Sequence, residues 1–288
     1  MKKIICLLAA AILVNSTALL SARTTSVKTV HVSTAQEFID AIASNRIIIV
    51  DESIVDITST LLESRNSKLR VSYEKAATTN KKVFFVDQTD GPELHIANVQ
   101  NLSIIAGQEI ITLQTDPRYA NVISFDRCSE ITLRGLTIGH SEEGYCDQGV
   151  LGFDNCSHVY GDRLDLYGCG TEGLIIDNCE DVIFKASKIH DCSYYIMHVS
   201  STNYVLFDGC QFFRNREFEQ VNIYGCTNVE FDNCMFANNT GNLFNVQSPV
   251  TMRDCVFLHD GMFWGDTEQI NFINCIFDEY FNSEQTFG

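Results

Sequence analysis

Proline is almost missing from this chain: three residues in 288, beside only 17 glycines. That composition excludes a collagen-like or low-complexity disordered chain, both of which need far more of each. Positive charge is scarce as well. Lys and Arg number 20 against 37 Asp and Glu, a net charge of −17, and the lysines and arginines form no basic block. Nucleic acid is thereby excluded as a partner, since binding it needs a positive surface that tracks phosphates. An acidic polysaccharide would be repelled unless a cation bridged it. Long apolar runs are limited to one, residues 4–20, which follows Met1, Lys2 and Lys3. A basic start and a short apolar core, with Leu20, Ser21 and Ala22 before Arg23, form the pattern of a secretory signal peptide. A membrane anchor is the alternative, but the run is short and is broken by Asn15, Ser16 and Thr17. Cys6 precedes the apolar core, whereas a lipoprotein cysteine follows it. The expectation is an unlipidated, exported protein, secreted, periplasmic or at the cell surface. It has no membrane span once residues 1–22 are removed, and a mature charge of −19.

What the chain does contain is one short pattern written seven times between residues 121 and 277. Each copy has a β-branched anchor: Ile131, Val159, Val182, Val205, Val229, Val250 and Ile270. Five residues later come Leu136, Leu164, Ser187, Cys210, Cys234, Cys255 and Cys275. Seven later come Ile138, Leu166, Ile189, Phe212, Phe236, Phe257 and Phe277. Successive anchors lie 20 to 28 residues apart. Within a copy, apolar and polar residues alternate in short runs, as in Ile123, Ser124, Phe125, Asp126, and bend residues such as Asp232 and Asn233 separate the runs. Period two signifies strands with one buried face. A run of about six residues cannot bury that face alone. Stacking copies in register, about 4.8 Å apart, buries it and pairs the backbone. The spacing therefore predicts a coiled solenoid of short strands with like residues in ladders.

Repeated lines such as 131–138 (Ile-Thr-Leu-Arg-Gly-Leu-Thr-Ile) and 229–236 (Val-Glu-Phe-Asp-Asn-Cys-Met-Phe) resemble the right-handed parallel β-helix of the pectin-lyase-like superfamily, over roughly residues 33–280. The resemblance implies an all-β fold, a right-handed parallel β-helix with an N-terminal capping α-helix. It implies little about function, because this fold carries lyases, hydrolases, adhesins and binding proteins. The polygalacturonase-type motifs Asn-Thr-Asp, Asp-Asp, Gly-His-Gly and Arg-Ile-Lys are absent, as is the pectate-lyase-type Arg-x-Pro-x-x-Arg. No catalytic residue is carried over from the family, and whether the chain is an enzyme stays open.

In chain order, residues 1–22 are read as the signal. Residues 23–50 are a leader, a capping helix and a first strand. Thr34 and Glu37 have capping-box spacing, Phe38, Ile39, Ala41 and Ile42 make one apolar face ending near Asn45, and residues 47–50 form the strand. Residues 51–120 are irregular first coils, with polar excursions at 65–68 and 75–82. Residues 121–278 are the regular coil and 279–288 a short tail. Phe263 and Trp264 are expected to help cover the C-terminal end; left uncovered, that end offers a surface for end-to-end self-association. Eleven cysteines follow the signal. Cys210, Cys234, Cys255 and Cys275 would point the same way on neighbouring rungs, with Cβ atoms about 4.8 Å apart, whereas a disulfide wants about 3.8 Å. They are read as buried thiols, and Cys146 with Cys169 as the best disulfide candidate.

The strand before the first bend has a calculable outward face: Ser124/Asp126, Gly152/Asp154, Ile175/Asp177, His198/Ser200 and Asn222/Tyr224. The longest insertion, 139–149, leads onto it, bounded by glycines and carrying His140, Tyr145 and three carboxylates. In enzymes of the family that the chain resembles, the substrate groove lies along such a face. Stacked carboxylates raise one another's pKa, so Asp154 and Asp177 with His198 are candidate catalytic groups. Asp126, Tyr145, Glu172, Asn222 and Tyr224 are candidate glycan-binding groups. The competing reading makes the aspartates acceptors for backbone N–H groups at the bend. His95, between Leu94 and Ile96, is read as an exposed structural histidine. His140, Cys146, Cys169 and Cys192 match no familiar zinc spacing, so no metal and no cofactor are expected. The preferred reading is a glycan-binding or surface-interaction protein whose partner is a polysaccharide or cell-surface glycan. The alternatives are a polysaccharide lyase or glycoside hydrolase, and a purely structural solenoid.

Overall fold

The computed structural model describes residues 26–62, 64–141, 148–168, 171–216, 219–260 and 267–278. Nearly every strand is parallel to its neighbours, and the strands stack into three sheets of ten, eight and nine. Each sequence repeat supplies one strand to each sheet, so a strand pairs with its counterpart one coil away. All seven anchors occupy one column: Ile131 pairs with Val159, and the register continues through Val182, Val205, Val229 and Val250 to Ile270. The phenylalanine column is equally regular. Phe212, Phe236, Phe257 and Phe277 stack at 4.8 to 5.0 Å between ring centroids, and all but Phe277 are fully buried. The chain is thus the solenoid that its period predicts.

The predicted cap is present. The helix Ala35–Ala41 begins at Thr34, whose hydroxyl accepts from the Glu37 N–H at 3.2 Å. The Glu37 carboxylate accepts from the Ser33 N–H at 2.8 Å, one residue before the usual capping-box partner. Phe38, Ile39, Ala41 and Ile42 are buried over the first coil.

The first coils differ from the regular ones, and the strand that was expected to begin the regular coil instead runs antiparallel to its neighbour. The strands Val83–Asp87 and Pro92–Ala97 form an antiparallel hairpin at the start of the nine-stranded sheet. The segment between the cap and this hairpin holds two 3-10 helices, Ile57–Leu62 and Ser64–Leu69, and the short helix Tyr73–Ala76. Ala76 and Val71 pack on a small separate core of Phe84, Val86 and Ala97.

The bends explain the cysteines. Asn98, Arg127, Asn155, Asn178 and Ser201 adopt positive φ of 50–54° at successive turns, and each donates its N–H to a carbonyl of the next coil at 2.9–3.2 Å. Eight described cysteines are free thiols. Each sulfur donates to a backbone carbonyl about one coil back, at 3.3–3.5 Å, as from Cys210 to Phe184 and from Cys234 to Phe207. Ser187, in the column of Cys210, uses its hydroxyl in a related way. It donates to Lys185 O at 2.8 Å and accepts from Leu164 N at 3.0 Å. Cys210→Ser therefore has acceptors at hand and should cost only about 1 kcal/mol, the lower end for a buried hydroxyl. Urea denaturation checks this. Thiol titration of the denatured, unreduced protein should count at least eight, as these free cysteines require. Cys192, by contrast, is disulfide-bonded, which the sequence reading did not anticipate. Cys146 and Cys169 lie outside the described residues.

At the third bend an amide column replaces the thiols. The N–H groups of Cys192, Asn215 and Asn239 donate to the side-chain Oδ1 of Asn215, Asn239 and Asp260 at 3.0, 3.1 and 3.0 Å.

Candidate functional site

The outward face of the nine-stranded sheet gathers the sequence candidates, and the register sorts them into two columns. Asp126, Asp154, Asp177, Ser200 and Tyr224 are successive partners in one. His95, Ser124, Gly152, Ile175, His198 and Asn222 are successive partners in the other. His198 therefore lies one coil beyond Asp177 but beside the carboxylate column; Ser200 occupies the place above Asp177.

A groove of about 460 Å³ runs over the first coils of this face. Asp126, Asp154 and Asp177 line it along with Glu93, His95 and Ser124. Tyr73 and Gln148 also lie on its lining. Gly152 deepens the floor: a Cβ there would lie 3.0 Å from Ser124 Oγ. A larger concavity of about 630 Å³ lies at a bend elsewhere, lined by Arg134 and Arg163. Both arginines are engaged by Asp162, at 2.9 and 3.4 Å, so it offers less free chemistry.

The three aspartates are not equivalent. Asp154 Oδ1 accepts from Asn155 Nδ2 at 2.8 Å and Asp177 Oδ2 from Asn178 Nδ2 at 3.0 Å. Ser200 Oγ donates to the other Asp177 oxygen. These contacts correct the expectation that the bend's backbone N–H groups are held by aspartate side chains: those N–H groups reach carbonyls instead. Asp126 Oδ2 meets Arg127 Nη2 at 2.6 Å, while its Oδ1 is buried without a partner among the described residues. Burial, reinforced by the Asp154 charge, raises the Asp126 carboxyl above its ordinary value, against the pull of Arg127 and His95.

Beneath the groove sits a group that the sequence reading did not assign. Glu93 is 3% exposed. It accepts from Ser124 Oγ at 2.5 Å, from the Asn121 N–H at 3.1 Å and from Gln88 Nε2 at 3.1 Å. Burial pushes its carboxyl up, but His95, Ser124 and Asn121 together outweigh burial, and the net direction is down. His95 Nε2 lies 3.1 Å from Glu93 Oε1. The oxygen sits off the N–H direction, so Nε2 makes a close contact without an aligned hydrogen bond. The His95 ring stacks on Phe84 at 5.2 Å. His95 is thus a groove residue and not the exposed structural histidine expected. Its place depends on the hairpin and the segment before it, neither visible in its own alternation.

Farther along the face, His198, Asn222 and Tyr224 form a second cluster. His198 Nε2 lies 3.1 Å from Tyr224 Oη and Nδ1 lies 3.3 Å from Asn222 Nδ2. Both ring nitrogens are thus engaged. Glu172 is pushed up by burial, with Thr171 and His198 opposing. Tyr145, with the rest of 142–147, lies outside the described residues. His140 is not a loop residue at all. It ends the strand Leu136–His140, is buried, and its Nε2 lies 2.9 Å from Ala120 O; burial lowers its pKa. No group of three or more His, Cys, Asp or Glu with metal-holding geometry occurs among the described residues. No helix among them is long and apolar enough to cross a membrane.

Residues 121–283 match the family model described as a right handed beta helix region. No curated protein matches the chain. Among solved structures, a pectate lyase from Paenibacillus sp. 0602 is similar at 9% identity and TM-score 0.50, covering 81% of this chain and 71% of its own. A rhamnogalacturonan lyase is similar at 11% identity and TM-score 0.45, covering 82% and 70%. An alginate lyase from Paenibacillus sp. str. FPU-7 follows at 11% identity and TM-score 0.41, covering 88% and 99%. At these identities the likeness concerns the fold.

Proposed function

The chain belongs to the right-handed β-helix family, and from that premise we propose that it binds an extended glycan along the outward face of its nine-stranded sheet. The observation that carries this is the groove across successive coils, floored by Gly152 and lined by Asp126, Asp154 and Asp177. Successive coils lie about 4.8 Å apart, so a ligand touching three of them is about 10 Å long or more. Two or three sugar units have that length. The carboxylates accept from sugar hydroxyls, and exposed Tyr73 and Tyr224 offer rings for stacking. The pectate lyase above is named for a polyanionic sugar chain. Such a chain would meet repulsion here, because the groove is acidic within an acidic protein. The sugar that fits this groove is uncharged. Export, read from residues 1–22, would put the groove where extracellular glycans are.

Asp154→Asn is the decisive variant. Asp154 accepts from Asn155 through Oδ1, and an asparagine oxygen can do the same, so only the charge is lost. Glycan-array binding followed by calorimetry should show affinity reduced tenfold or more, about 1.4 kcal/mol, with the melting temperature within a few degrees of wild type. Unchanged affinity would remove the carboxylate column from the site.

A further inference from the structure

We infer that His95 and Asp126 are the proton-transfer pair of this groove: His95 activates a water against a glycosidic bond, Asp126 protonates the departing oxygen, and Glu93 positions the His95 ring. The inference rests on the reading of the groove as a saccharide site and adds a reaction to it.

Glu93 and His95 are two residues apart on the strand Pro92–Ala97, so both leave the sheet on its outward face, while Leu94 and Ile96 fill the core. A buried carboxylate is costly unless hydrogen-bonded, and Glu93 has donors from Ser124, Asn121 and Gln88. Its Oε1, which also accepts from Ser124 and Asn121, meets His95 Nε2, which is sealed from solvent. Phe84 fixes the plane of the ring. With Nε2 buried against Glu93, the nitrogen left to the groove is Nδ1. In this His95 differs from His198, whose nitrogens are both engaged. The misaligned Nε2 contact is common for catalytic hydrogen bonds before substrate binds.

A proton donor lines the same groove. Ala97 pairs with Asp126, so Asp126 lies one strand across and two residues along from His95. Steps of about 4.8 Å and 6.6 Å put their Cβ atoms roughly 8 Å apart. Inverting glycosidases hold their acid and base carboxyl groups about 6.5–9.5 Å apart to admit a water, a gap that side chains on Cβ atoms so spaced can span. Asp126 Oδ1 has no partner among the described residues, so no other acceptor holds a proton carried there, and a turn of the carboxyl about χ2 brings that proton to the groove. In the step, water's oxygen bonds to the anomeric carbon while His95 Nδ1 takes its proton. The bond from that carbon to the glycosidic oxygen breaks, and the departing oxygen takes the Asp126 proton. One water is consumed, and solvent returns the imidazolium proton to Asp126.

The test uses the full chain with cello-, xylo- and chitohexaose, measuring binding by calorimetry and reducing ends by colorimetry on the same samples. For a hexaose that binds, His95→Gln should lower kcat by about 10²–10⁴ with KM changed less than threefold. Glu93→Gln should lower kcat at least tenfold, and the first product should show the inverted anomer by NMR. Nitrogen NMR of the unaltered protein should find the neutral His95 proton on Nε2. Binding without turnover, full turnover in His95→Gln, a retained anomer or a proton on Nδ1 would each overturn the pair and leave the groove reading standing. Absence of binding to all three sugars would overturn both.

Discussion

Phe38→Ala should cost about 3–5 kcal/mol and make the protein aggregate. Phe38 is fully buried, and Ile39, Ala41 and Ile42 pack beside it over the first coil. The helix that carries them, Ala35–Ala41, also contacts the 3-10 helix Ile57–Leu62. A solenoid core is open at its ends unless something covers it, and an uncovered end presents unpaired strand edges and apolar side chains to other molecules. Domains are stable by only about 5–15 kcal/mol, so a loss of this size removes a large share. Urea unfolding and size-exclusion chromatography check the expectation. A monomer destabilised by less than about 1 kcal/mol, well short of a buried-aromatic truncation, would show that the helix is an appendage rather than a cap.

Asp260→Asn should stabilise the protein at pH 8 by about 2–4 kcal/mol, following the worth of a pKa shift of this size, and have little effect at pH 4. Asp260 ends the amide column of the third bend. Asn215 and Asn239 each donate through Nδ2 to a carbonyl about one coil back, Ile189 O and Phe212 O. Asp260 can copy that donation only while protonated, and its Oδ2 is buried without a partner among the described residues. Burial, despite the hydrogen bonds from Asn239, pushes its carboxyl up to about 7. The folded pKa thus exceeds the unfolded one. Stability from the protonated group is complete below about pH 4, declines as pH rises, and is lost above about 7. Asparagine supplies the donor at every pH. Melting curves of both proteins at pH 4 and 8 test this: the gap should open with pH, and a gap of equal size at both would sink the account.

The solenoid was legible because its period repeats in full. Seven β-branched anchors and a run of phenylalanines can share columns only if the coils stack, and the register bears this out at each anchor. The hairpin was not legible. Val83–Asp87 and Pro92–Ala97 read as strands, but alternation says nothing about which neighbour a strand runs against, or in which direction. The outward face was calculable from the same alternation, which is why Asp126, Asp154, Asp177, His198, Asn222 and Tyr224 fall on one sheet. Depth on that face was not calculable. Glu93 follows a proline at the start of its strand and reads as a solvent residue; Asn121, Gln88 and Ser124 bury and satisfy it from elsewhere. The available signal was Glu-x-His on one side of a strand, two titratable groups at a spacing that makes them neighbours. His140 failed in the opposite sense: beside a glycine it reads as loop, yet it completes a strand.

The bends pass their N–H groups to the next coil, and each strand pairs only with its two neighbours. Apart from the disulfide at Cys192, mechanical load applied between the two ends would therefore find no long-range clasp among the described residues of the regular coils. Coils of 20 to 28 residues should peel singly from an end, each releasing about 70–95 Å of contour length at roughly 3.4 Å per residue. The force trace would be a sawtooth of small, nearly equal teeth. An irregular first or last tooth would mark the coil under the capping helix, where peeling must also extract Phe38.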